Sequence, residues 1–234
     1  MNSNIMQQDN KDTAGSSSSP ANVNPYSAGT PVSYQTPPAK KEKKEHRFKI
    51  SFNAPVVLTF TGICLVVTLL GAITGDRSTE LLFMTYHSSL ANPMTYVRFF
   101  THVLGHSGFS HLVGNASYLL LLGPMLEEKY GSKALVEVIA ITAVITGVFN
   151  WLVFPNVALC GASGIVFAFI LLASFTNFKK GEIPLTFILV AVIYIGQQIY
   201  EGIALTDNIS NTAHILGGII GSVIGYILNR KKSE

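Results

Sequence analysis

The sequence predicts an all-α polytopic membrane protein with six transmembrane helices. Three observations carry that expectation. Of 234 residues, 48% are hydrophobic and only 12% are charged, a balance that suits burial in lipid better than a soluble fold. Six apolar runs long enough to span a hydrocarbon core read as 55–74, 111–126, 134–154, 157–178, 183–203 and 212–229. Lys and Arg segregate by loop. The segment Lys40 to Lys49 holds six of them, and Lys129, Lys133, Lys179, Lys180, Arg230, Lys231 and Lys232 follow in alternate connections. With six spans, all of these fall on one side, and the other receives Arg77 and Arg98. The excess of positive charge on the inner side then puts both termini in the cytoplasm.

In chain order, residues 1–49 form a polar tail, of which 1–39 are rich in Ser, Asn, Gln and Pro with few apolar residues. Such a tail cannot offset its ordering entropy by burial, so it is expected to be disordered, ending in a basic juxtamembrane stretch. The first span lacks the small-residue cleavage site of a signal peptide and is expected to be retained. The second begins at His111 after a polar approach, His106–Ser110, and ends before Glu127. The third is a plain apolar run. The fourth follows Pro155-Asn156 and carries Gly161-Ala162-Ser163-Gly164 near its start; the fifth is apolar until Gln197, Gln198 and Glu201 near its end. The sixth carries Ala213-His214, followed by Gly217, Gly221 and Gly225 at four-residue spacing, a flat face on which another helix can sit. Residues 50–230 thus form one helical domain, and 231–234 a short tail.

Three of these spans place a polar residue at one depth. His111, Ser163 and His214 each stand sixteen positions before the charge that closes their helix, Glu127, Lys179 and Arg230. Sixteen residues of helix rise about 24 Å, most of a hydrocarbon core about 30 Å thick. The three side chains therefore share a layer near the far surface, where polar groups need partners or a task. A serine at the first turn of a helix has unpaired N–H groups and the positive dipole end beside it, which suit an oxyanion. His214 lies three residues before Gly217, on about the same face, and meets Ser163 if the glycine face packs on the fourth span. His111 and Asn115 are four apart and project together.

Blander readings stand beside these. Gly-x-Ser-Gly in a membrane helix also serves small-residue packing, and a membrane histidine can be a packed residue. A metal reading of His102, His106 and His111 lacks a carboxylate, so neither metal nor cofactor is expected. Cys64 and Cys160 lie in or beside apolar spans and read as packing residues. The net charge of +3 reflects membrane topology and gives no case for nucleic-acid binding. A channel or transporter would expose charged ligands along a path, and the later spans hold almost none.

With these residues in hand, the chain resembles the rhomboid intramembrane serine proteases over about residues 50–230. The resemblance rests on Arg98-Phe99-Phe100-Thr101-His102, on His106 with His111 and Asn115, on Gly161-Ala162-Ser163-Gly164, and on Ala213-His214 with Gly217 and Gly221. It implies a rhomboid-like six-helix bundle in which Ser163 is the nucleophile and His214 the general base. His111, Asn115 and the backbone N–H of Ser163 stabilise the oxyanion. It also implies substrates that are transmembrane proteins, a lipid-bilayer setting, and residence in the plasma membrane of a bacterium. Glu127 and Gly131 match a structural pattern of the family at the end of the second span. Two positions depart from the family: Val97 precedes Arg98 where Trp is common, and Phe167 stands where Tyr is frequent. From i+4 of Ser163, Phe167 is expected to stack on His214. A non-catalytic member that binds or escorts membrane helices is the alternative, marked by loss of Ser163 or His214, and both are present.

Overall fold

The computed structural model describes residues 51–176, 182–204 and 209–231. The expected tail 1–49 with its basic stretch, Lys179, Lys180, and residues 232–234 lie outside the described residues. The elements are α1 (Pro55–Thr74), α2 (Arg77–Leu82), α3 (Pro93–Thr101), a 3-10 turn (His102–Leu104), α4 (Phe109–Tyr130), α5 (Ser132–Val153), α6 (Ser163–Ser174), α7 (Leu185–Ala204) and α8 (Ile209–Lys231). Among the described residues, three segments are long and apolar enough to cross a membrane: α1, α5, and Asn211–Arg230 of α8. Helix α6 and Leu185–Tyr194 of α7 are apolar but shorter.

Helix α6 lies at the centre because it is apolar on every side. Ile165, Phe169, Leu171 and Leu172 are all wholly buried, with α4, α5, α7 and α8 packed around them. The approach of α8 is the closest: a Cβ at Gly217 would lie 2.0 Å from the carbonyl oxygen of Gly164, and one at Gly221 would lie 2.1 Å from that of Ala168. Only glycine allows backbone to meet backbone there, and the contact fixes both the distance and the register of α8 against α6.

Helix α1 starts at Pro55, which pre-sets the backbone and has no N–H to leave unpaired. Its next two N–H groups are satisfied from far along the chain. The buried carboxylate of Glu127 accepts from Val56 N at 3.0 Å and Val57 N at 3.1 Å, and also from Ser132 Oγ at 2.6 Å. One acidic side chain thus caps α1 and ties it to the end of α4 and the start of α5, where the positive helix end favours a negative charge.

Two helices not expected from the sequence, α2 and α3, occupy the stretch between α1 and α4. Helix α3 is capped by Asn92, whose side chain accepts from Met94 N at 3.0 Å. It is amphipathic. Thr95, Arg98 and Phe99 face inward, and Tyr96, Val97 and Phe100 face out. Arg98 is buried because its Nε donates to the Leu81 carbonyl at 2.9 Å and its guanidinium sits 4.4 Å from the Tyr86 ring centroid. Trp151, at the end of α5, donates from Nε1 to the Ser88 carbonyl at 2.9 Å and stacks on His87.

The start of the fourth helix differs from the expectation. Residues 157–162 are not helical, and α6 begins only at Ser163. Leu159 instead pairs antiparallel with Thr85, through N–H to oxygen contacts of 2.9 and 2.8 Å. Gly161 adopts φ +129°, outside the helical region. A tertiary pairing with a residue more than seventy positions earlier overrides the local apolar run, and the serine becomes the first residue of its helix.

Candidate active site

Three helices and the segment before α6 converge on one cavity of about 440 Å³ lined by His111, Asn115, Ser163, Phe167 and His214, with Tyr118 and Cys160 beside them. Helix α4 supplies His111 and Asn115 one turn apart, α6 supplies Ser163 and Phe167 one turn apart, and α8 supplies His214. The structure therefore brings together every site residue expected from the sequence, and Tyr194 of α7 closes the group by contact with Phe167.

Ser163 stands at the first position of α6, where the N–H groups of the opening turn have no intrahelical acceptor. Gly161, two residues earlier, is held by its N–H to the carbonyl of His102 at 2.9 Å. A side chain there would collide with the oxyanion candidates: a Cβ would lie 2.7 Å from His111 Cε1, 2.9 Å from His111 Nε2 and 3.8 Å from Asn115 Nδ2. His111 and Asn115 thus both face the turn that presents Ser163. His111 is oriented from behind by Ser107, whose Oγ lies 3.1 Å from His111 Nδ1. That leaves Nε2 directed at the turn.

Asn115 is 7% exposed, and its amide nitrogen has no hydrogen-bond acceptor among the described residues. Buried donors are rarely left this way, and an orphan in a cavity wall marks a place where an acceptor arrives with a ligand or along a reaction. A donor placed there can serve an oxygen that bears developing negative charge.

The imidazole of His214 stacks on the Phe167 ring with centroids 4.3 Å apart and planes 9° apart. Tyr194 meets the same ring edge-on at 5.8 Å and 83°. The aromatic face meets the histidine ring by stacking, as Phe167 has no hydroxyl to donate.

His102 and His106 lie behind the cavity, in the connection before α4. Burial pushes both down to about 4, and the charge of His111 adds to the effect at His106. Both are therefore neutral near pH 7. His102 joins α3 to α5, with Nδ1 3.1 Å from the Arg98 carbonyl and Nε2 3.2 Å from Thr146 Oγ1. His106 packs edge-on against His111 at 5.0 Å. Sequence reasoning did not single out Ser107, Tyr118 or Tyr194. The i,i+4 spacing of Ser107 and His111 was available as a signal; the approach of Tyr194 depends on how α7 packs and left none.

The Rhomboid domain pattern matches residues 93–231 of the chain. Among curated proteins, the rhomboid protease GlpG of Haemophilus influenzae is 26% identical over 176 residues, which cover 74% of this chain and 90% of the relative. The rhomboid protease GlpG of Yersinia pestis is 25% identical over 177 residues, covering 74% of this chain and 62% of the relative's length. Its counterpart in Yersinia pseudotuberculosis matches to the same extent.

Proposed function

Because this chain belongs to the rhomboid family, we propose that it is an intramembrane serine endopeptidase that cuts transmembrane proteins through a Ser163–His214 dyad. The observation that carries the reading is the meeting of Ser163, His214, His111 and Asn115 in one cavity. Ser163 Oγ attacks the scissile carbonyl while His214 takes its proton. The carbonyl oxygen becomes an oxyanion, held by Asn115 Nδ2, His111 Nε2 and the N–H of Ser163 at the positive end of α6. As the tetrahedral species collapses, the C–N bond breaks and His214 returns the proton to the leaving amine. Water then hydrolyses the acyl-enzyme by the same route. Phe167 orients His214 by stacking.

The six-span frame belongs to this proposal. Helices α1, α4, α5, α6, α7 and α8 cross the membrane, α2 and α3 lie in the first connection, and the Lys and Arg distribution puts both termini in the cytoplasm. A cleft of about 400 Å³, with Tyr118 and Leu122 on α4, Ile170 and Ala173 on α6, and Val190 and Tyr194 on α7, shares Tyr118 with the site cavity. It gives a substrate helix a lateral approach from lipid. A substrate segment rich in weak helix formers enters most easily, because its backbone must leave its own hydrogen bonds to reach Ser163.

A fluorophosphonate probe tests the assignment. Labelling of the purified chain that is lost in Ser163→Ala supports it, and equal labelling of the two removes the nucleophile. Two further outcomes are expected. Asn115→Ala and His111→Ala each lower turnover by roughly ten- to a thousandfold, the range for losing one oxyanion donor; unchanged rates in both would show that the oxyanion is held elsewhere. Phe167→Ala lowers both activity and melting temperature, because the stack is lost and a cavity remains. Phe167→Tyr keeps the stack and stays within roughly several-fold of the parent. Full activity of Phe167→Ala in steady-state cleavage would mean that another group orients His214.

A further inference from the structure

Two grooves flank the first turns of α1. One, of about 520 Å³, runs between α1 and α5 and is walled by Val56, Phe60, Ile63, Val136 and Ile139. The other, of about 620 Å³, follows the end of α4 and meets α1 at Pro55, with Leu121, Pro124 and Met125 as its apolar wall and Asn53 and Glu128 at its polar part. Pro55 and Ser132 line both, so the grooves open from a common mouth at the start of α1.

The charges around that mouth are unequal in what they have left to offer. Glu127 is committed, since its two oxygens take the N–H groups of Val56 and Val57 and the hydroxyl of Ser132. Glu128 is exposed and joins no ion pair among the described residues. Lys133 follows Ser132 directly, with a side chain 92% exposed and only a 3.8 Å pairing with Glu137. Such a pairing at the surface is weak and easily exchanged.

An occupant must satisfy three conditions at once. It needs an apolar chain, because the α1–α5 groove follows α1 from Pro55 to Ile63, about 12 Å into the hydrocarbon layer at 1.5 Å per residue. It needs a second such chain, because a second apolar wall, Leu121, Pro124 and Met125 on α4, opens from the same mouth. A partner helix, about 10 Å across, cannot enter both grooves at once. At the mouth it needs a cation for Glu128 and an anion for Lys133. We propose that this end of the bundle binds one diacyl phospholipid with a primary-amine headgroup, an acyl chain in each groove, the ammonium on Glu128 and the phosphate toward Lys133. A primary ammonium donates hydrogen bonds to a carboxylate, and a quaternary one cannot.

Native mass spectrometry of the full chain in detergent tests this, with dioleoyl lipids bearing ethanolamine, choline or glycerol headgroups. One ethanolamine lipid is expected per chain, held about tenfold more tightly than either other lipid, the scale of one hydrogen bond to a charged group. Glu128→Gln should erase the preference over choline. Val136→Trp fills the α1–α5 groove from a residue 51% exposed and should weaken retention of all three lipids. Ile63→Trp, on the opposite wall and 43% exposed, should do the same and replaces it if Val136→Trp melts early without lipid. Persistence of the ethanolamine preference in Glu128→Gln overturns the proposal, as does equal retention of all three lipids by the parent. Tighter binding of the anionic glycerol lipid also overturns it.

Discussion

Ser163→Ala and His214→Ala are each expected to abolish cleavage of a transmembrane substrate, with losses of more than about 10⁴-fold. The size follows from how the two side chains act. Without Oγ no acyl-enzyme forms, and without the imidazole the hydroxyl keeps its proton and is a poor nucleophile. The double variant should therefore be no worse than either single one, since residues that act as a unit are grossly non-additive. The folded state should survive both changes. Ser163 is the first residue of α6 and is only half-buried, and alanine suits a helix at least as well. His214→Ala loses the Phe167 stack and should melt somewhat lower. The measurement is single-turnover cleavage by purified variants of matched helicity. Turnover near that of the parent in either variant would remove that residue from the chemistry and with it the Ser163–His214 dyad.

The parts of this site that could be read from the sequence are those set by helical periodicity. His111 with Asn115 and Ser163 with Phe167 are both i,i+4 pairs, so each was bound to project from one face once its helix existed. The flat glycine face of α8 was equally legible, and Gly217 does meet Gly164 backbone to backbone. What periodicity could not give is anything fixed by a distant residue. Residues 157–162 look like the start of an apolar helix, but Thr85 captures Leu159 as an extended pair, and Gly161 turns so that His111 can approach. The same limit hid α2 and α3. They are short, interrupted by polar residues and held by contacts such as Arg98 on Tyr86 and the Leu81 carbonyl, none of which has a local signature. Glu127 is intermediate: its place at the end of the second span was legible, but its role as the cap of α1, seventy residues earlier, was not.

The strongest test of the scaffold is the glycine face, because it separates geometry from chemistry. Gly217→Ala puts a methyl 2.0 Å from the Gly164 carbonyl oxygen, a contact that neither backbone can relieve without the helices parting. Gly164 follows Ser163, and Gly217 is three residues after His214, so the displacement falls directly on the dyad. A shift of about 1 Å at a reacting pair is enough to cost on the order of a hundredfold in rate, and overpacking of this kind costs about 1–3 kcal/mol in stability. Gly221→Ala makes the same clash one turn further on, 2.1 Å from the Ala168 carbonyl oxygen, and should destabilise as much with a smaller loss of activity. Gly225→Ala meets a ring instead, with Phe175 Cδ2 at 2.8 Å; the ring can turn, so its effect should be the smallest of the three. Gly196 on α7 has open space around it, with nothing within 4 Å of where a methyl would stand, and serves as the control: Gly196→Ala should be neutral, or stabilising by up to about 1 kcal/mol through helix propensity. Melting curves and steady-state rates of the four variants in one detergent decide the matter. If Gly217→Ala melts and cleaves like the parent while Gly196→Ala behaves as expected, the α6–α8 contact does not set the distance between Ser163 and His214, and the orientation of the dyad must come from α4 and α7 alone.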